Sequence, residues 1–110
     1  YTDPTKDNLF IEGCQNQFKI LNEVAQEHNK LMAFAETGYE QIPYSKWWTN
    51  TLLQAIGDYK ISYVLVWRNH GWQEQEKKMH YYAPYPGQIS APDFIEFYKL
   101  KSTLFEKDIK

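Results

Sequence analysis

The sequence predicts an α/β fold in which short parallel strands are flanked by helices, and three observations carry that reading. Leu31-Met32-Ala33-Phe34-Ala35 is an unbroken apolar run that ends abruptly in Glu36-Thr37-Gly38. A second run, Ile61 to Trp67, is dominated by β-branched and aromatic residues and starts 30 residues after the first, the size of one βαβ unit. Around both runs, apolar residues recur at helical spacing. A strand without polar alternation is covered on both faces, as in parallel sheets with helices on either side. Two parallel strands alone leave edges and apolar faces unpaired. The expectation is therefore the closing part of a larger barrel or open sheet, its other strands supplied by the parent chain or by a second chain.

Each element follows in order. Phe10, Ile11, Cys14, Phe18, Leu21, Ala25 and His28 recur at steps of three and four, which predicts an amphipathic helix over Asn8 to His28. Asp7 is its expected cap and Asn29 its left-handed exit. The Leu31 to Ala35 strand follows almost directly. Pro43 and Ser45 open a second helix, Lys46 to Ile56, with Trp48, Leu52, Ala55 and Ile56 inward and Gly57 as its stop. After the Ile61 to Trp67 strand, expected to pair in parallel with the first, Arg68 to Gln88 reads as a long functional loop punctuated by Pro84, Pro86 and Gly87. Ser90 with Asp93 suits a helix opening in which Ser90 caps and Asp93 returns the hydrogen bond. That helix runs to about Lys99 with Phe94, Ile95, Phe97 and Tyr98 inside, and a last turn spans Ser102 to Ile109.

The chain has 110 residues, 43% hydrophobic and 17% aromatic, enough for one packed domain. It begins with Tyr1 and shows no signal-peptide pattern, so a piece of a longer protein is expected. No apolar stretch reaches the roughly 18 residues of a membrane span, and the piece is read as soluble. A formal charge of -2 gives no footprint for nucleic acid, whose nonspecific binding needs clustered Lys and Arg. One cysteine, Cys14, excludes an internal disulfide and is read as an inert buried thiol. His28, His70 and His80 lack metal-ligand spacing. A phosphate-cradling glycine loop and a Gly-x-Ser-x-Gly elbow are both missing. Lys77-Lys78 reads as solvated loop charge. No metal and no cofactor are expected.

In parallel sheets flanked by helices, chemistry gathers at the carboxyl ends of the strands. Glu36 sits at such an end, beside Gly38, which permits a tight exit. The aromatic residues are sorted by type. All six Phe fall in helical segments or the first strand, whereas Tyr39, Tyr44, Trp47, Trp48, Trp67, Trp72, Tyr81, Tyr82 and Tyr85 follow the strands. Rings with an apolar face and a hydrogen-bonding edge suit sugars; the structural alternative is that Trp47 and Trp48 roof the core. Glycoside cleavage needs two carboxyl groups flanking the bond. Glu36 fits the nucleophile's position, its structural alternative being an interaction with the next helix start. Glu40, Glu74 and Glu76 are loop acids that follow no strand, so the proton donor is expected elsewhere.

Five blocks now point to a family. Ala-Glu-Thr-Gly-Tyr-Glu at 35 to 40, Lys-Trp-Trp at 46 to 48, Tyr-Val-Leu-Val-Trp-Arg-Asn at 63 to 69, Tyr-Ala-Pro-Tyr-Pro-Gly at 82 to 87 and Thr-Leu-Phe-Glu-Lys-Asp at 103 to 108 resemble the carboxyl-terminal part of glycoside hydrolase family 26. Its best-known members are retaining endo-β-1,4-mannanases. The resemblance runs from about Asn8 to the end. It implies that the whole chain, 1 to 110, is the C-terminal portion of one (β/α)8 TIM barrel, with Leu31 to Ala35 as the seventh strand and Ile61 to Trp67 as the eighth. Glu36 then matches the nucleophile. Trp67 matches a floor for the sugar at the cleavage point, and Arg68 a hydrogen-bonding neighbour. Tyr1 matches a tyrosine that holds the nucleophile in place at the substrate site. The family's acid/base glutamate follows its fourth strand, which this chain lacks, so the isolated piece is expected to be inactive. A mannan-like polysaccharide substrate and an extracytoplasmic location are also implied. Alternatives are the same chemistry on another β-glucan or xylan, and a noncatalytic carbohydrate-binding piece.

Overall fold

The computed structural model describes residues 4–109. A 3-10 turn, Pro4–Lys6, runs into helix α1, Asp7–Glu27. Asp7 is thus the first helical residue and Lys6 the cap position, with no side-chain cap bond. The expected Asp7 cap is corrected: a preceding turn moves the boundary by one residue, and an acid in the first turn complements the helix dipole instead. Phe18 and Ala25 are buried, Phe10, Ile11 and Cys14 half-buried, and Leu21 and His28 exposed. Asn29 takes the expected left-handed conformation, φ 52°, and Lys30 N donates to Ala25 O at 2.8 Å to close the helix end.

Strands β1, Met32–Thr37, and β2, Ile61–Val66, pair in parallel, as the sequence predicts. Their register is Met32 with Ile61, Phe34 with Val64 and Thr37 with Val66. Between the first two pairs β2 holds one extra residue, and between the last two β1 holds one. The slips cancel, so the strand ends stay level while Ala35 and Glu36 lie in a bulge. Glu36 adopts φ 58° there. Bulges re-aim side chains and recur beside active sites.

Phe34, Val64 and Val66 pack against the core, whereas Tyr63 and Leu65 on the alternate positions of β2 are 58% and 52% exposed. Among the described residues, then, the pair is covered on one face. The core on that face is aromatic. A π-helical turn, Trp47–Leu52, continues into α2, Leu53–Ile56. Wider winding brings successive side chains toward one side, and both Trp47 and Trp48 are buried, their rings edge to face at 4.8 Å. These two tryptophans belong to the core and not to a sugar-lined loop, and Tyr39, 0% exposed, joins them. Gly57, φ 56°, ends the helix as expected.

Helix α3, Ala91–Lys99, lies against this core through Phe94 and Phe97. Trp48 meets the Phe94 ring edge to face at 4.7 Å. Ile95, expected inside, is 50% exposed. The expected roles of Ser90 and Asp93 are also corrected. Ser90 Oγ makes no cap bond; it accepts from Trp48 Nε1 at 3.1 Å and donates to Gln88 Oε1 at 2.6 Å. Asp93, 2% exposed, accepts from Thr49 N at 2.9 Å and from Thr49 Oγ1 at 2.6 Å, with Lys46 Nζ at 3.6 Å. A short polar side chain at a helix start caps only if no better buried partner competes, and here the π-helical turn supplies one. The chain closes in a 3-10 turn, Glu106–Asp108.

The expected loop from Arg68 to Gln88 contains a hairpin. β3, Gly71–Gln73, pairs antiparallel with β4, Lys78–His80. Strands of three residues carry too few alternations to be read from sequence. Among the described residues, no helix is long and apolar enough to cross a membrane.

Two outcomes follow from this packing. Asp93→Ala strips a partly buried amide and hydroxyl of their acceptor, and is expected to lower the unfolding free energy by about 2–3 kcal/mol in urea titrations. Burial pushes the Cys14 thiol up to about 11, so the folded state holds its proton and loses stability as pH rises from about 9 through 11. At pH 8, iodoacetamide is expected to label Cys14 roughly 100-fold more slowly in the folded protein than in urea, following the thiolate fraction.

Candidate active site

The last pair of the parallel sheet, Thr37 with Val66, puts the two strand exits side by side. Trp67 N donates to Thr37 O at 2.8 Å, which ties the residue after β2 to the residue after Glu36. Glu36 is exposed. Its left-handed backbone is unusual for a non-glycine residue, costs about 1–2 kcal/mol, and is held by strand pairing on either side of the bulge. Trp67 is 43% exposed, and the Arg68 guanidinium lies 5.9 Å from its ring centroid, within cation–π range. A ring whose face is braced by a cation and open to solvent can stack on a sugar.

Beyond this junction, Trp67, Arg68, His70, Gln73, His80 and Tyr82 line a cavity of about 220 Å³. Glu36 is not among the lining residues. A larger hollow, about 370 Å³, is bordered by Gln41, Tyr81, Tyr85 and Gln88 among others. Tyr81 and Tyr85 are among the rings singled out by sequence, but Glu36, Trp67 and Arg68 do not border this hollow, so the smaller cavity is the one that bears on the expected chemistry. Tyr1, predicted to support the nucleophile, lies outside the described residues. Among those described, no group of three or more His, Cys, Asp or Glu is placed to hold a metal.

Three further residues shape the cavity, of which Gly38 and Tyr82 were singled out from sequence and Asn69 was given no role of its own. Asn69 straps the base of the hairpin: its Oδ1 accepts from Tyr82 N at 2.9 Å and Ala83 N at 3.0 Å. Gly38, φ 152°, lies under the Tyr82 ring, and a Cβ on it would come 2.6 Å from Tyr82 Cδ1. Burial, then the charge of Glu40, pushes the Tyr82 hydroxyl pKa up, so it stays neutral and able to donate.

Lys78 and Glu40 correct two sequence readings. Lys78, read as solvated, has Nζ 3.0 Å from Glu40 Oε2 and 3.3 Å from Glu76 Oε2. Its pKa is raised, first by the Glu40 bond and then by Glu76. Glu40, read as a loop acid, is 7% exposed. The Glu76 to His80 spacing of four was the available signal, since their side chains do meet, at 2.9 Å.

Comparison with known proteins bears on this arrangement. No family sequence model matches the chain, and no curated protein does. A solved structure, of a GH26 beta-mannanase from Bacteroides ovatus, is 44% identical and superposes on 99% of this chain with a TM-score of 0.83. The chain belongs to glycoside hydrolase family 26. It spans 30% of the length of that mannanase, and its mixed helices and strands correspond to a part of such an enzyme. The resemblance read from the five sequence blocks is thereby shown at the level of the family.

Within this family 26 chain, Gly38 is the position where a single added carbon is least tolerable. Gly38→Ala is expected to cost about 2–4 kcal/mol in stability, combining a strained backbone with overpacking against Tyr82. Chemical denaturation measures the loss, and wild-type stability would show that the ring yields freely.

Proposed function

We propose that the chain is the C-terminal portion, about strands seven and eight, of a (β/α)8 retaining glycosidase that cleaves β-1,4 linkages in mannan-type polysaccharides. Glu36 is its nucleophile. The observation that carries this is the juxtaposition of an exposed carboxylate, at a bulge ending a parallel strand, with the exposed Trp67 across the Thr37–Trp67 hydrogen bond. Similarity to a beta-mannanase over nearly the whole chain supports it. The exposed Tyr63 and Leu65 are on the same strand face as Trp67, and an apolar face of this kind suits the interior of a barrel completed by the other strands.

In this reading Glu36 attacks the anomeric carbon while an acid from elsewhere in the enzyme, about 5–5.5 Å away, protonates the leaving oxygen. The covalent glycosyl ester is then hydrolysed by water, activated by that same residue as base, with retention. Trp67 stacks beneath the sugar ring, and Arg68 hydrogen-bonds the adjoining unit. By the same family resemblance, Tyr1 supports the nucleophile. Because the acid/base group lies outside these 110 residues, the isolated piece is inactive. A polysaccharide substrate too large to enter a cell accords with an extracytoplasmic site of action.

The test is Glu36→Ala in the full-length enzyme. Turnover is expected to fall by about 10⁴-fold or more, with partial recovery in azide. Retained turnover rejects the assignment. Reducing-end assays on mannan, glucan and xylan decide the substrate, and sugar binding without any release of reducing ends would favour a noncatalytic role.

A further inference from the structure

Glu40 has no part in the chemistry above, yet its side chain is 6% exposed and both its oxygens are engaged across a boundary between elements. It belongs to the segment leaving β1. Its partners belong to β4: Lys78 Nζ at 3.0 Å from Oε2 and His80 Nδ1 at 2.5 Å from Oε1. No regular hydrogen-bond angle reaches Oε1, so that contact is a close approach of the ring nitrogen and not an aligned hydrogen bond. His80 Nε2 meets Glu76 Oε2 at 2.9 Å, and Lys78 also approaches Glu76. Two basic side chains are therefore clasped between one carboxylate of the β1 exit and one of the hairpin turn. Next to this clasp, Gln41 N donates to Tyr81 O and Gln41 Nε2 to Met79 O, each at 2.8 Å. His80 also borders the cavity beside Trp67 and Arg68.

We propose that Glu40 is a positioning residue that locks hairpin β3–β4 onto the β1 exit and so fixes the wall of the sugar cavity facing Trp67. The proposal rests on the mannan-hydrolase reading of that cavity. A buried carboxylate is an expensive way to join two loops unless the join must hold one geometry. The ring of His80 has a carboxylate at each nitrogen, Glu40 at Nδ1 and Glu76 at Nε2. The other groups around it are Lys78 on β4, and Arg68, His70 and Tyr82 on the cavity side. These contacts tie β4 to the β1 exit, and binding of the sugar weakens when they are broken.

The experiment compares Glu40→Gln with wild type in the full-length enzyme on a β-1,4-mannan oligosaccharide. The expected result is a roughly 5–10-fold rise in KM with kcat within about twofold. Hydrogen exchange at the hairpin amides is expected to quicken alongside. An unchanged KM overturns the proposal, as does a fall in kcat alone. If either occurs while Glu36→Ala remains inactive, the nucleophile assignment stands and only the positioning role fails. Should Glu40→Gln not fold, Lys78→Met opens the lock from its more exposed side; the same rise in KM supports the proposal, and a wild-type KM overturns it.

Discussion

The structure depends on how the chain leaves β1. Between Glu36 and Ile42, four of seven residues have positive φ: Glu36 at 58°, Gly38 at 152°, Gln41 at 61° and Ile42 at 41°. Glycine adopts such angles freely, but the other three cost energy, most of all the β-branched Ile42. A segment so disfavoured holds only when its surroundings over-determine it. Ile42 and Tyr39 are fully buried, and Gln88 Nε2 donates to both Gln41 O and Ile42 O at 2.9 Å. Backbone strain here is offset by burial and by polar contacts drawn from distant parts of the chain.

Those contacts form a continuous buried path. Gln88 bridges the β1 exit to Ser90, Ser90 meets Trp48, and Asp93 anchors Thr49 at the π-helical turn. Each polar atom in the path is paired, as low-dielectric surroundings require. The aromatic cluster of Trp47, Trp48, Phe94 and Phe97 supplies apolar burial, while the polar path selects which of many aromatic packings is adopted. Hydrophobic area holds α2 and α3 against the sheet; directional bonds set the angle at which the loops emerge.

The functional geometry follows from that division. A rigid core delivers two strand ends in level register, and the bulge, confined to one residue of excess, presents Glu36 without disturbing the Thr37–Trp67 bond. Tyr82 over Gly38, Asn69 at the hairpin base and the Glu40 clasp then fix the second wall. The proposed role of Glu36 needs such precision because a reacting group displaced by about 1 Å can lose about 100-fold in rate. Strain and buried charge are concentrated around the strand exits, where geometry matters most for the proposed chemistry.

Local physics was legible in the amino-acid order. Helical spacing of Phe10, Cys14, Phe18 and Ala25, the left-handed Asn29, the stop at Gly57 and the two apolar strands all depend on neighbours within a few residues. The position of Glu36 just where the apolar run fails was legible for the same reason, as were the five blocks that resemble family 26. Tertiary structure alone decided the hairpin, whose three-residue strands have no pattern of their own. It also decided the fates of Glu40, Lys78, Ser90 and Asp93, because their partners lie 38 to 44 residues away or have to compete with a local cap. A polar side chain announces that it needs a partner; which partner it finds is settled only when the chain has folded back upon itself.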